Sequence, residues 1–231
     1  MLAKIKYFKY YSKLLLNNWI QEKDTYAQHG EDKIIDLLIP EGVKSFIDIG
    51  ANDGVLFSNT FKFAKRGAFG ICIEPAKSSF IKLYLNHLFH KKVKSINRAI
   101  SSASGFLEFD ELGYENVLSK VVDEKKKSSI KKKCITLDEI FHDHSSFKSP
   151  DLISIDVEGH EKEVLQGGIN CLNQSKIIII EVDKLNLDSI CHFPALKNHT
   201  PKFSNRLNTI FLNNKVNFPE IKELVPGFFE I

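Results

Sequence analysis

Four isoleucines in succession, Ile177-Ile178-Ile179-Ile180, run straight into Glu181 and Val182. Side chains of a strand point alternately to opposite faces, so an unbroken β-branched run has no solvent face to offer. Such a strand belongs in a mostly parallel sheet covered by helices on both sides. Shorter strands of the same kind are expected at 45–49, 70–75, 93–100 and 152–156. Between them lie helical segments at 59–66, at 77–89 with Phe80, Tyr84 and Leu88 in register, and at 160–166. An earlier helix carries Ile34, Ile35, Leu38 and Ile39 and stops at Pro40 and Gly42. This alternation predicts an α/β fold, a doubly wound, mostly parallel sheet with helices on both faces.

The chain has 231 residues, 43% of them apolar, which suits one domain burying about 70% of its unfolded surface. A single domain over 1–231 is expected, divided into an N-terminal helical cap (1–40), a core (41–183) and a C-terminal lid and strand region (184–231). Lysine and arginine number 32 against 29 acidic residues, a net charge of +3, and only Arg66, Arg98 and Arg206 carry guanidinium groups. Phosphate and guanine readout leans on such forks, so no nucleic-acid partner is expected. Cys72, Cys134, Cys171 and Cys191 form no C-x-x-C pair, which predicts reduced structural thiols and a cytoplasmic location. No run approaches the ~18 apolar residues of a membrane span, and Lys13 interrupts the first apolar stretch, so no signal peptide is expected. Residues 1–22 mix lysine with Tyr, Phe, Leu and Trp19 and read as a basic amphipathic helix capping the domain. Contact with an anionic membrane surface or a partner protein is the alternative. Oligomeric state has no signature in the chain.

The rhythm breaks after the third strand. Phe106-Leu107-Glu108-Phe109 reads as an added strand or hairpin arm. The runs Lys125-Lys126-Lys127 and Lys131-Lys132-Lys133 read as a solvated, mobile loop, with a lure for an acidic substrate as the alternative. Residues 184–206, with Pro194 and Pro201, suggest a lid or substrate loop, and 209–212 a final strand.

The most informative segment is Phe46-Ile47-Asp48-Ile49-Gly50-Ala51-Asn52-Asp53-Gly54, an apolar strand with an acidic residue near its end and glycines four apart. Gly50 and Gly54 permit positive φ and a close approach of backbone to a ligand. The spacing is not the G-x-G-x-x-G of diphosphate-binding folds, and Asp48 would sit badly beside a diphosphate. It suits a ligand carrying an ammonium group. Glu74 ends the second strand, where a carboxylate accepts hydrogen bonds from ribose hydroxyls in doubly wound folds. Asp48, Glu74 and Asp156 should converge at the carboxyl ends of the strands. The ligand inferred is S-adenosylmethionine.

Three blocks carry a resemblance: Tyr26-Ala27-Gln28-His29-Gly30-Glu31-Asp32; Asp48 to Gly54 with Ser58-Asn59-Thr60; and Ile155-Asp156-Val157-Glu158-Gly159-His160-Glu161 leading to Val164-Leu165-Gln166-Gly167. Over roughly residues 24–183 the chain resembles the FkbM family of S-adenosylmethionine-dependent methyltransferases. The resemblance implies a class I, Rossmann-like sheet of the seven-stranded type and O-methylation of a hydroxyl on a sugar, glycan or polyketide-type product. Carried over by position, Asp48, Gly50, Asn52 and Gly54 should line the methionine end, and Glu74 should hold the ribose. Asn97 and Ala99 should border the adenine, and Gln28 should close over the cofactor. From Leu185 onward no family pattern aligns.

An alcohol is a poor nucleophile at neutral pH, so its proton must be accepted during attack or its pKa lowered by a metal. Asp156 ends the fourth strand beside the expected methyl group and is the leading candidate for base or ligand; Glu158 is the second. The bland alternatives are that Asp156 holds the cofactor's amino group and that Glu158 favours a helix start. His160 reads as a surface residue at a helix start, and His142 and His144 as loop residues rather than a metal pair. Asp156 with Glu181 or Asp183 could supply oxygen ligands for Mg²⁺. The competing functions are a nucleic-acid or other small-molecule methyltransferase and a non-catalytic S-adenosylmethionine-binding module. Against the first, Asp156-Val157-Glu158-Gly159 offers no aromatic platform for a flipped base.

Overall fold

A computed structural model describes residues 12, 13, 16, 17, 20–110, 120, 121, 129–144, 149–182 and 186–231. The strands are β1 (Ser45–Ile49), β2 (Phe69–Ile73), β3 (Val93–Ile96), β4 (Ala99–Ile100), β5 (Gly105–Asp110), β6 (Lys120–Val121), β7 (Ser129–Ile135), β8 (Leu152–Ile155), β9 (Ile177–Glu181), β10 (His199–Ser204), β11 (Asn208–Asn213) and β12 (Phe229–Glu230). The helices are α1 (Glu31–Leu38), α2 (Phe61–Lys65), α3 (Lys77–Asn86), α4 (Leu137–Asp143), α5 (Glu161–Gly167), α6 (Ile169–Gln174) and α7 (Asp188–Cys191).

The main sheet has the order β12-β10-β11-β9-β8-β1-β2-β3. Its five strands from β9 to β3 are all parallel, and β11, β10 and β12 add an antiparallel flank. Ile177 to Ile180 are all fully buried, as an unbroken apolar strand requires. Ile177 and Ile179 pack with α1, α2 and α3 through Ile34, Ile35, Phe63 and Leu83. Ile178 and Ile180 pack on the other face with Leu137, Val164, Leu165 and Leu172 of α4, α5 and α6. Each isoleucine taken fully out of water contributes about 1.5–3 kcal/mol, so this strand is the spine of the core.

The register matters most for the site. Ile49, Ile73, Ile96, Ile155 and Ile180 form one row across the five parallel strands. The residues that follow them, Gly50, Glu74, Asn97, Asp156 and Glu181, therefore leave the sheet side by side at its carboxyl edge.

Several expectations are corrected. The strand expected over 93–100 is two strands in different sheets, β3 in the main sheet and β4 in a second sheet ordered β4-β7-β5-β6. Lys131-Lys132-Lys133 is not a loop but the middle of β7, paired with Phe106 to Glu108 of β5. Only Lys131 to Lys133 can be compared, since Lys125 to Lys127 lie outside the described residues. Within the stretch read as a lid or substrate loop, the described residues form α7 and β10, and β10 pairs with β11 around a register shift after Pro201. The pyrrolidine removes one ladder donor, and the shift accommodates it. The helix expected over 77–89 ends at Asn86; its buried residue is Leu83, whereas Tyr84 and, past its end, Leu88 face solvent. At the N-terminus, residues 12, 13, 16, 17 and 20 are helical and exposed; the rest of 1–19 lies outside the described residues. No helix among the described residues is long and apolar enough to cross a membrane.

Candidate active site

A cavity of about 340 Å³ opens at the carboxyl edge of the parallel strands. Gln28, Asp48, Gly50, Asn52, Glu74, Ala99, Asp156 and Glu158, all named from the sequence, line it. Gly54 and Asn97 lie outside the lining and support it instead. The Asn97 amide donates to the carbonyls of Glu74 (2.7 Å) and Pro75 (3.0 Å), pinning the end of β2. A Cβ on Gly54 would meet Leu83 and His87 side-chain atoms at 2.5–2.6 Å, so its bare backbone lets the turn sit on α3. Gly50 has φ +84°, and a Cβ there would fall 1.7 Å from the Asp156 carbonyl oxygen. The turn and the chain leaving β8 thus pack backbone to backbone.

Asp48 is buried and accepts a 2.6 Å hydrogen bond from the Thr60 hydroxyl. Burial pushes its carboxyl up to about 6, against the opposing effect of hydrogen bonds from Thr60 and Ser154. Asn59 donates to the Ser154 hydroxyl at 3.1 Å, so the Ser58-Asn59-Thr60 block is an arm that fixes Asp48. The Ser58 hydroxyl accepts from the Thr60 and Phe61 amides and sets the entry to α2. Glu74 is also buried, taking the Asn52 amide on one oxygen (3.0 Å) and the Ala76 amide on the other (2.7 Å). Those two bonds tie the glycine turn to the end of β2.

Three carboxylates gather on one side. Ligand oxygens of Asp156, Glu158 and Glu181 all lie within 4.8 Å of one another. Asp156 is solvent-exposed and lines the cleft. Its carboxyl is held well above the ordinary carboxylate range by desolvation and by the negative charge of Glu181, then of Glu158 and Asp48. Glu158 has φ +56°, Asn52 +48° and Phe57 +59°, three non-glycine residues in the left-handed region on one rim. Strain of this kind persists where the surrounding structure holds it, and it recurs at ligand sites. Asp183 lies outside the described residues; Glu181, at the end of β9, meets Asp156.

Sequence reasoning missed several lining residues: Phe57, Arg98, Phe109, Val121, Ser154 and Leu207. Phe109 and Val121 come from the second sheet and Leu207 from the β10–β11 turn, and no local pattern foretells either approach. His160 lines the cleft rather than the outer surface. Its Nε2 lies 3.1 Å from the Ser101 hydroxyl and its Nδ1 3.3 Å from Glu163. His142 is exposed and pairs loosely with Asp143, while His144 meets Lys94, so the two histidines form no shared site.

A family model described as the methyltransferase FkbM domain matches residues 48–221. The match reaches well past Leu185, correcting the expectation that the C-terminal part lies outside the family pattern. The hexuronic acid methyltransferase AglP of Haloferax volcanii is 31% identical over 157 residues, 66% of this chain and 62% of that protein. The chain thus spans less than two thirds of that relative's length. Among solved structures, the methyltransferase FkbM of Methylobacillus flagellatus KT is 14% identical with a TM-score of 0.49, covering 74% of this chain and 43% of that one. A precorrin-6y C5,15-methyltransferase of Geobacter metallireducens GS-15 is 12% identical with a TM-score of 0.48, covering 83% and 91%.

Proposed function

This chain belongs to the FkbM methyltransferase family, and from that premise we propose that it is an S-adenosylmethionine-dependent O-methyltransferase acting on a hydroxyl of a sugar, glycan or related natural product. The observation that carries the reading is the row of carboxylates at one sheet edge, with Asp48 and Glu74 buried and Asp156 and Glu181 beside them. Buried acidic groups suit a cationic donor with a ribose diol and are hostile to phosphate chains. The cofactor, when bound, supplies a methyl group on a positively charged sulfur. Asp48 and Glu74 would hold and orient it, and Gln28 and Phe57, which also line the cavity, would shield it from water. Asp156, whose raised pKa makes it a stronger base than an ordinary carboxylate, takes the proton of the acceptor hydroxyl. The hexuronic acid specificity of the similar Haloferax protein supports a carbohydrate acceptor. The four free cysteines support a reducing, cytoplasmic setting.

A metal-assisted variant has its own support. Asp156, Glu158 and Glu181 are hard oxygen donors close enough to share one ion, a set that fits Mg²⁺. The ion would lower the pKa of the acceptor hydroxyl. Unchanged turnover after exhaustive chelation removes this variant.

Calorimetry with S-adenosylhomocysteine tests the central reading. Binding is expected, with about 2.7 kcal/mol of stabilisation when the ligand is at 100 times its Kd. A flat titration and an unmoved melting temperature overturn it, whereas binding without methyl transfer to any acceptor favours the non-catalytic module. Methyl transfer from labelled donor to a panel of neutral, acidic and amino sugars then defines the acceptor. Tight, salt-steep retention of RNA or DNA on filters would favour a nucleic-acid substrate instead.

A further inference from the structure

From Pro75 to Leu107 the chain contains no aspartate or glutamate, while Lys77, Lys82, Lys91, Lys92, Lys94 and Arg98 lie within it. The stretch includes all of α3 and the edge strand β3. Lys77, Ile81, Tyr84 and Leu85 recur at helical spacing on one face of α3, and Leu88 follows in the turn just past its end. Ile81 is 44% exposed, Tyr84 54%, Leu85 58% and Leu88 51%. Leu83 is the residue of α3 that enters the core. Large apolar side chains facing outward, on a stretch that carries cations and no acidic residue of its own, form the pattern of a helix that lies in a lipid–water interface.

We propose that this face of α3 docks on an anionic lipid surface, Ile81, Tyr84, Leu85 and Leu88 entering the interface while Lys77, Lys91 and Lys92 meet the headgroups. Each lysine near such a surface adds attraction that salt weakens, and the apolar stripe adds a part that salt does not. Charge complementarity selects this occupant over a second copy of the chain. A twofold self-contact would lay the same lysines of two copies against each other with no carboxylate between them. Ser79, in the first turn of the same helix, lines the cleft, so a docked molecule keeps its site beside the surface. The proposal does not depend on the assigned reaction.

Sedimentation of the full chain with vesicles of phosphatidylcholine alone, and with about 30% phosphatidylserine added, tests it. The chain is expected to sediment with the second and not the first. Binding should fall roughly tenfold in Leu85→Asn/Leu88→Asn and, independently, in Lys91→Glu/Lys92→Glu. These side chains are exposed, so both variants should keep the parent melting temperature; if one does not, the other carries the test. Failure of the full chain to sediment with anionic vesicles overturns the proposal. Undiminished binding by both variants does so too, and moves the contact elsewhere. A concentration-dependent dimer that Leu85→Asn/Leu88→Asn dissolves, without vesicle binding, assigns the face to self-association instead.

Discussion

Asp48 shows how one side chain serves binding at a cost to the fold. Its carboxyl titrates near 6 in the folded chain, against 3.8 for a free carboxylate. Between those values the folded state holds a proton that the unfolded chain has released. Stability therefore falls as pH rises from about 4 to 6 and is flat above. Asp48→Asn removes that penalty, worth roughly 3 kcal/mol at most. The variant is expected to melt higher than the parent at pH 7 but at about the same temperature at pH 4. Its affinity for S-adenosylhomocysteine should fall about 10- to 100-fold, as for a lost charged hydrogen bond. A variant that is both less stable at pH 7 and unimpaired in binding contradicts this assignment. Asp156 and Glu181 are tested through a pH–rate profile. A base raised by its neighbours gives an activity that climbs with pH, and removing the Glu181 charge lets Asp156 ionise sooner. In Glu181→Gln the rising limb should move toward acid by roughly one unit. Asp156→Asn should lower kcat by at least about 100-fold with little change in cofactor affinity.

At the level of elements, the turn after β1 is held by contacts with the end of β2 and with Asp156 just past β8. The Gly50 amide donates to the Ile73 carbonyl and the Asp156 amide to that of Ile49. With a Cβ placed 1.7 Å from the Asp156 carbonyl, Gly50→Ala must push two strands apart. A loss above about 3 kcal/mol is expected, a drop in melting temperature of more than roughly 6 °C. Gly67 is a matched control: its φ of +83° is nearly the same, but nothing lies within 4 Å of its missing Cβ. Gly67→Ala should cost only the left-handed backbone term, about 1–2 kcal/mol. Equal losses in the two variants would mean that the strand contact contributes nothing.

Across the whole molecule, the N-terminal block is tied to the C-terminal hairpin. Glu31, fully buried at the start of α1, accepts from the side-chain amides of Asn205 and Asn208, both at 2.7 Å. Its other oxygen takes the His29 amide at 3.0 Å. Asp32 next to it accepts from Thr25 and the Tyr26 amide and fixes the loop that carries Gln28 to the cleft. Glu31→Ala leaves three amides, two from side chains and one from the backbone, without their acceptor. It should cost about 2–4 kcal/mol, read as a lower denaturant midpoint at unchanged slope. The same loss with a lower slope would instead signal a changed unfolded state.

What the sequence by itself determined was whatever depends on neighbours along the chain. The isoleucine run of β9 required a sheet buried on both faces, and the strands at 45–49, 152–155 and 177–181 could be read from local alternation and composition. The row of strand-end residues followed from that sheet, so Asp48, Glu74 and Asp156 were legible as one site. Tertiary structure decided the rest, because partners distant in the chain supply the energy. Lys131 to Lys133 become a strand only because β5 lies beside them, and Glu108 stands opposite Lys131. Spacing placed Tyr84 and Leu88 on one face of the expected helix, but only the position of the sheet made Leu83 the inward residue and left the stripe in water. Gly50 was recognisable as a turn; that its missing side chain makes room for the Asp156 carbonyl follows from the packing of β1 against β8, and a sequence holds no record of that distance.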